Sequence, residues 1–246
     1  MTNQAIHHAS CHPRRGFTLV ELMVVILIIA ILAVLAFMGT QRVRDMADKT
    51  AAIRNLSQLQ IANTSYATDN SGKYVPFLVN DENGNRAGWW YQVPEFLNYF
   101  RGEVNDSKGN PSQSVPLSML DPKVVRAKLP FYYSMAGSYG LNITGLPSAI
   151  GVSLARPAHT VTSVTRPELS MAFASATDVR VAYSSRFNWR GVEGKTSDGG
   201  IAYRHGNKAL VVYFDGHVGE VSKAEMKEID SSKGGSKGSF WLPTAN

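Results

Sequence analysis

The chain has 246 residues, 44% of them hydrophobic, with a formal net charge of +6 and a single cysteine. That length suits one domain plus a tether, and the mild, scattered excess of Lys and Arg offers no dense basic run of the kind nucleic-acid binding needs. Cys11 precedes the main apolar block, so it does not stand where a lipobox cysteine would, and a domain after it must hold together without disulfides.

The first element is the strongest. Residues 14–38 read RRGFTLVELMVVILIIAILAVLAFM, and the 17 residues from Leu22 to Met38 carry no charge and no strong polar group. With Phe17–Glu21 the run reaches about 22 residues, or about 33 Å of helix, enough to cross a bilayer core. A secretory signal peptide would end in a small-x-small cleavage site, which Ala36-Phe37-Met38-Gly39-Thr40 matches poorly. A buried soluble helix would not be apolar all round. A plain signal anchor fits the hydropathy. None of the three accounts for Glu21, a carboxylate inside the apolar run that costs on the order of a few kcal/mol unless something pairs with it.

Gly16-Phe17-Thr18-Leu19-Val20-Glu21, after Arg14 and Arg15 and before the apolar run, resembles the class III signal of type IV pilins and type II secretion pseudopilins. The resemblance is close over about residues 14–40 and looser beyond. It implies removal of a basic leader, residues 1–16, by a membrane prepilin peptidase cutting between Gly16 and Phe17. It also implies N-methylation of the new amino group on Phe17 and makes Glu21 the assembly glutamate. Physically, Glu21 of one subunit can pair with the Phe17 amino group of a neighbour, so two costly charges offset each other and set the register between helices. Charge counting leaves orientation open: Arg14 and Arg15 favour a cytoplasmic amino terminus, but Arg42, Arg44, Lys49 and Arg54 lie beyond the other end.

Past Gly39 the helical rhythm persists. Val43, Met46, Thr50, Ile53, Leu56 and Gln60 recur at spacings of three or four, widened by Ala47, Ala51, Ala52, Leu59 and Ile61. Arg42, Arg44, Asp45, Asp48, Lys49 and Arg54 fall mostly opposite. One helix is therefore expected from Phe17 to Tyr66 or Thr68, stopped by Asp69-Asn70-Ser71-Gly72, with residues 17–38 as its transmembrane half and 39–70 as its amphipathic half.

Residues 71–230 read as a β-rich domain. Asn83-Gly84-Asn85 and Ser107–Pro111 mark loops, and the aromatic cluster from Trp89 to Phe100 reads as core. Phe131–Met135, Ser138–Asn142 and Leu169–Ala174 read as strands or buried segments. Ala209–Phe214 is a strand, Asp215-Gly216 a two-residue turn, His217–Val221 the returning strand, and Lys223–Ile229 a short helix. The tail, 231–246, is expected to be flexible because Ser231–Gly238 is rich in Gly, Ser and Lys.

His205 lies ten residues before Asp215, with Gly216 next. This resembles a His-x9-Asp-Gly pattern near the carboxyl end of many bacterial pilin-like proteins, and Ser138–Asn142 resembles their central motif. Its role stays open: His205 at the start of a hairpin strand suits a structural part, and a metal could instead draw on His205, Asp215, His217 or Asp198. Calcium, which some pseudopilins bind in a late loop, needs six or more oxygens, and no dense acidic loop is present. No metal and no other cofactor is therefore expected.

No nucleophile elbow, P-loop, Cys-His pair or metal-helix motif occurs, so no catalytic residue is assigned and the chain is read as a non-enzyme. The expected fold is α+β and pilin-like, a long amino-terminal helix packed on an antiparallel sheet. The expected function is that of a pseudopilin or pilin subunit. It would be anchored by a single pass in the bacterial inner membrane, with its carboxy-terminal domain in the periplasm or in an extracellular filament. The partners implied are other pseudopilins or copies of itself, the prepilin peptidase and an inner-membrane assembly platform, with nucleic acid not among them. The alternatives are a minor pilin serving adhesion or DNA uptake, and a membrane-anchored binding protein.

Overall fold

The computed structural model describes residues 16–100, 115–129, 137–147, 156–193, 200–232 and 234–244. The expected strand at Phe131–Met135 and the loop at Ser107–Pro111 lie outside them. The chain divides into two units, Met1–Arg44 and Asp45–Asn246, and helix α1 (Leu19–Asp69) contributes to both.

In the first unit the described residues of α1 are exposed on every side. Its large apolar side chains from Phe17 to Phe37 are 45–84% exposed, which is what an all-round apolar helix shows when no described residue packs against it. By length and composition it is a candidate membrane span.

In the second unit α1 buries a stripe at Asp48, Ala52, Asn55, Leu56, Leu59, Gln60, Ala62, Asn63, Tyr66 and Ala67. Ala52, Leu56, Leu59 and Gln60 of the stripe expected from hydrophobic periodicity are in it, but other members are not. Met46 is 70% and Ile61 61% exposed, and Thr50 is exposed too. The polar members of the buried stripe meet backbone groups that would otherwise go unpaired. Asn55 Nδ2 donates to the carbonyls of Ser118 at 3.0 Å and Leu120 at 2.9 Å. Gln60 Nε2 donates to Phe214 O at 2.9 Å, and Asn63 Oδ1 accepts from Val75 N–H at 2.9 Å. Leaving such groups unmet costs more than burying the amide, so hydrogen bonding selects the face. The helix stops as expected: Gly72, at φ 76°, donates its N–H to Ala67 O at 2.8 Å.

Strands β1 (Leu78–Asn80) and β2 (Arg86–Trp89) form a small hairpin around Asn83-Gly84-Asn85. Two short helices follow, α2 (Pro94–Leu97) and α3 (Pro122–Arg126). Strands β3 (Tyr139–Asn142), β4 (Met171–Ser175), β5 (Arg180–Val181), β6 (Lys208–Tyr213) and β7 (Val218–Ser222) make the main sheet in the order β5-β3-β4-β6-β7. It is antiparallel except for β3 and β5, which run parallel. The fold class is therefore α+β with a long amino-terminal helix and an antiparallel-rich sheet.

Both faces of this sheet are covered, which explains the unbroken apolar run in β6. Leu210 and Val212 join the cluster containing Leu56, Leu59, Trp90, Phe96 and Phe173. Ala209 and Val211 join a second cluster with Met171, Ile201, Met226 and Trp241. The aromatic segment Trp89–Phe100 is core, as expected: Trp90, Tyr91 and Phe96 are buried.

Two local expectations are corrected. The β6–β7 connection runs over four residues, Phe214–His217, closed by Tyr213 N–H bonding His217 O at 3.0 Å and by Gly216 N–H returning to Tyr213 O at 2.9 Å. Gly216, at φ 96°, takes the left-handed position of that longer turn. The tail is not free either. Helix α4 runs Lys223–Ser232, past the Ile229 expected, and Phe240 and Trp241 are 4% and 0% exposed. Phe240 O accepts from Met171 N–H at 3.1 Å, Trp241 O from Asn142 Nδ2 at 2.8 Å, and Pro243 O from Thr165 N–H at 3.0 Å. Two aromatic side chains outweigh the Gly/Ser/Lys composition before them.

Candidate functional site

The amino-terminal site comprises Gly16, Phe17 and Glu21. Arg14 and Arg15 lie outside the described residues. Gly16 and Phe17 stand in a non-helical stretch ahead of α1, Phe17 being 84% exposed and Gly16 having no neighbouring atom near the place a Cβ would occupy. Thr18 is the cap. Its N–H and its hydroxyl both donate to Glu21 Oε2, each at 2.8 Å, and its Oγ1 accepts from Glu21 N–H at 3.2 Å. This reciprocal arrangement is a capping box, in which a Thr and a Glu three residues on satisfy one another's backbone donors. Glu21 thus turns back toward the start of its own helix. Thr18-x-x-Glu21 spells this box in the sequence, where Thr18 reads only as one letter of the longer signal.

The carboxy-terminal pattern is resolved into two separate places. His205 sits before β6 and Asp215-Gly216 after it, with about 20 Å of extended chain between them. His205 is wholly buried and its Nε2 lies 2.8 Å from Asp121 Oδ2, whose side chain is also fully buried. Beside them Arg204, 1% exposed, donates to the carbonyls of Ser138 at 3.0 Å, Gly137 at 2.6 Å and Ala176 at 2.8 Å. It also reaches Glu193 at 3.1 Å and Asp121 at 3.5 Å. Asp121 caps α3 by accepting from Lys123 N–H at 2.9 Å. Burial pushes the Asp121 carboxyl up, but the Arg204 charge and the hydrogen bonds from His205 and Lys123 outweigh it and hold the group below the usual carboxylate range. His205 Nδ1 has no partner among the described residues. Sequence reasoning missed Asp121 and Arg204; the only local signal was Asp121 directly before Pro122, a helix-start pair.

At the far end, Asp215 Oδ1 accepts from His217 N–H at 3.1 Å and lies 2.7 Å from His217 Nδ1. The His217 ring stacks on Tyr213, with centroids 4.1 Å apart. The metal grouping considered from sequence is therefore not assembled, since His205 is remote from Asp215 and His217, and Asp198 lies outside the described residues. Among the described residues no three His, Cys, Asp or Glu side chains converge.

Among the described residues, clefts open on the second unit. One, of about 540 Å³, runs along α1 between Arg54, Gln58, Ile61, Tyr99, Phe100 and Met119, and none of the described residues lining it carries a carboxylate or imidazole. Another, of about 330 Å³, is lined by Asp45, Lys49, Lys123 and Glu220 among others. Its charges pair with one another, Lys49 with Glu220 at 2.5 Å and Lys123 with Asp45 at 3.0 Å.

Comparison with known proteins agrees with the first site. The model of the prokaryotic N-terminal methylation motif matches residues 11–37. The match spans the Gly16–Glu21 signal and most of the apolar run, and is consistent with a type IV pilin-like signal. No curated protein and no solved structure matches the chain.

Proposed function

We propose that this protein is a structural subunit, a pseudopilin or pilin, that assembles through α1 into a periplasmic pseudopilus or a pilus. The observation that carries the reading is the methylation-motif match over residues 11–37, joined to an apolar helix whose large side chains from Phe17 to Phe37 stay 45–84% exposed among the described residues. In this reading a prepilin peptidase cuts between Gly16 and Phe17, the Phe17 amino group is methylated, and residues 17–38 stay in the inner membrane as a single-pass anchor. The domain from residue 71 onward faces the periplasm or the filament surface. Glu21 of an incoming subunit pairs with the Phe17 amino group of the preceding one, which neutralises a carboxylate that lipid disfavours. The partners are like subunits, the peptidase and an inner-membrane platform. The chemistry is assembly, not turnover. Protein secretion is the favoured role, because without Cys11 the mature chain would hold no cysteine for the carboxy-terminal disulfide loop many pilins carry.

The test is the mature amino terminus, read by mass spectrometry on protein made with its native peptidase. A chain beginning at methylated Phe17 is expected. A chain still beginning at Met1 means a plain signal anchor, and a start beyond residue 36 means a secreted protein; either result ends the proposal.

A further inference from the structure

Just past the apolar run, α1 carries charges that could pair along the helix itself. On an ideal helix Arg42 would find Asp45 three residues on, and Arg44 would find Asp48 four residues on. Both acids are engaged elsewhere. Asp45 Oδ1 lies 3.0 Å from Lys123 Nζ, and Asp48 Oδ1 lies 2.5 Å from Arg126 Nη2, so α3 takes the two carboxylates. The hydrogen bond and charge of Lys123 hold Asp45 below the usual carboxylate range. Arg42 and Arg44 are left exposed, with no ion pair among the described residues.

Their place on the helix suits one kind of partner. Met38 ends the apolar run, and at 1.5 Å per residue Arg42 stands about 6 Å and Arg44 about 9 Å beyond it. A headgroup layer is about 5–8 Å deep. With residues 17–38 in a bilayer core, both guanidinium groups reach phosphate level on their long stems. Two residues apart, they point about 200° from each other around the axis. A protein docked on one side of the helix would meet one of them, whereas a layer surrounding the helix meets both. The neighbours fit the same depth. Val43 and Met46 are 67% and 70% exposed, and the Thr40 hydroxyl donates to Phe37 O at 2.8 Å, so it is satisfied without water. The guanidinium fork itself matches a phosphate through two parallel N–H bonds.

We propose that Arg42 and Arg44 form a collar that binds the phosphates of anionic phospholipids where α1 leaves the bilayer, fixing the depth of the helix. This rests on the reading of α1 as a membrane anchor and is independent of which side the domain faces.

The experiment titrates the full chain, extracted in detergent, with phosphatidylglycerol or phosphatidylcholine and reads bound lipid by mass spectrometry of the intact complexes. Wild type is expected to prefer phosphatidylglycerol about 25-fold, at about fivefold per arginine. Arg42→Gln or Arg44→Gln alone should lower the preference about fivefold, and the two together should abolish it, since Gln keeps the helix but loses the charge. Arg190→Gln with Lys227→Gln removes the same charge from exposed positions of the second unit and should change nothing. An unchanged preference in the Arg42→Gln, Arg44→Gln variant overturns the proposal. So does an equal loss in the Arg190→Gln, Lys227→Gln variant, which makes the effect one of net charge alone. Inorganic phosphate competing as well as the lipid makes the pair a plain anion site, and loss of lipid-free dimers in the arginine variant makes a second copy the partner; either result overturns it too. A full chain that alkaline carbonate washes out of cell membranes sinks the anchor reading itself, a separate failure.

Discussion

Helix α1 belongs to two regions that solve opposite problems. From Phe17 to Phe37 nearly every side chain is apolar and the large ones are all exposed. From Asp48 to Ala67 the helix is far more polar, yet half of it is buried, including Asn55, Gln60 and Asn63 at 2%, 1% and 0% exposure. The first stretch meets no partner among the described residues, and its surface is matched to an apolar surrounding. The second has a sheet to lie against, and its buried amides hold it by answering specific carbonyl and amide groups. Apolarity along a helix measures what the helix prefers around it; burial measures what the rest of the chain provides.

If the second region is self-sufficient, damage to its core should unfold it while leaving processing at Gly16-Phe17 untouched. The largest effect is expected from Trp241→Ala, which empties a fully buried indole site against Met171, Met226 and Tyr183. A loss of about 3–5 kcal/mol in domain stability is expected, read by denaturant unfolding of the full chain in detergent. Wild-type stability would mean the tail is not a core element.

Asp121→Asn tests the buried polar junction. It removes the charge facing Arg204 and His205 but keeps the volume, and Arg204 retains Glu193. A loss of about 3 kcal/mol is expected, with the same readout, and an unchanged midpoint would show that Glu193 alone satisfies Arg204.

Acid sharpens the comparison, because the second region holds a buried imidazole whose pKa is lowered. His159 is 6% exposed, its Nε2 has no partner among the described residues, and Phe214 packs against its ring. Burial, opposed only by a hydrogen bond with the Asn142 backbone, lowers its pKa from 6.5 to about 4. The unfolded chain therefore takes up a proton first as pH falls. The associated stability is complete above pH 6.5, declines as pH falls through that range, and about 3 kcal/mol is gone at pH 4. His159→Phe should flatten this part of the pH profile; an unchanged slope would assign it to other groups.

The smallest effect is expected at Met46, on the face that periodicity wrongly placed inside. Met46→Ser should change domain stability by less than about 0.5 kcal/mol, since the side chain is 70% exposed. A loss of several times that would mean the outer face of α1 is covered after all.

The sequence by itself determined whatever depends on neighbours along the chain. The apolar run, its basic flank and the Gly16–Glu21 signal are local, so the long apolar helix and the class of signal were legible in the sequence. The same holds for the stop at Gly72, the strand pair around Asp215-Gly216 and the aromatic core at Trp89–Phe100. Tertiary structure alone decided what depends on distant groups. Periodicity placed Ala52, Leu56, Leu59 and Gln60 on the buried face of α1, but the inclusion of Asn55 and the anchoring of Gln60 were settled by carbonyls some 60 to 150 residues away, at Ser118, Leu120 and Phe214. The division of the His205 and Asp215-Gly216 pattern into a buried clamp and a turn followed from the meeting of His205 with Asp121, 84 residues apart. The anchoring of the tail came from Asn142 and Met171. The physical reason is common to all three: a buried polar group must find its partner wherever the fold brings one, and hydrophobic periodicity carries no record of where that partner lies.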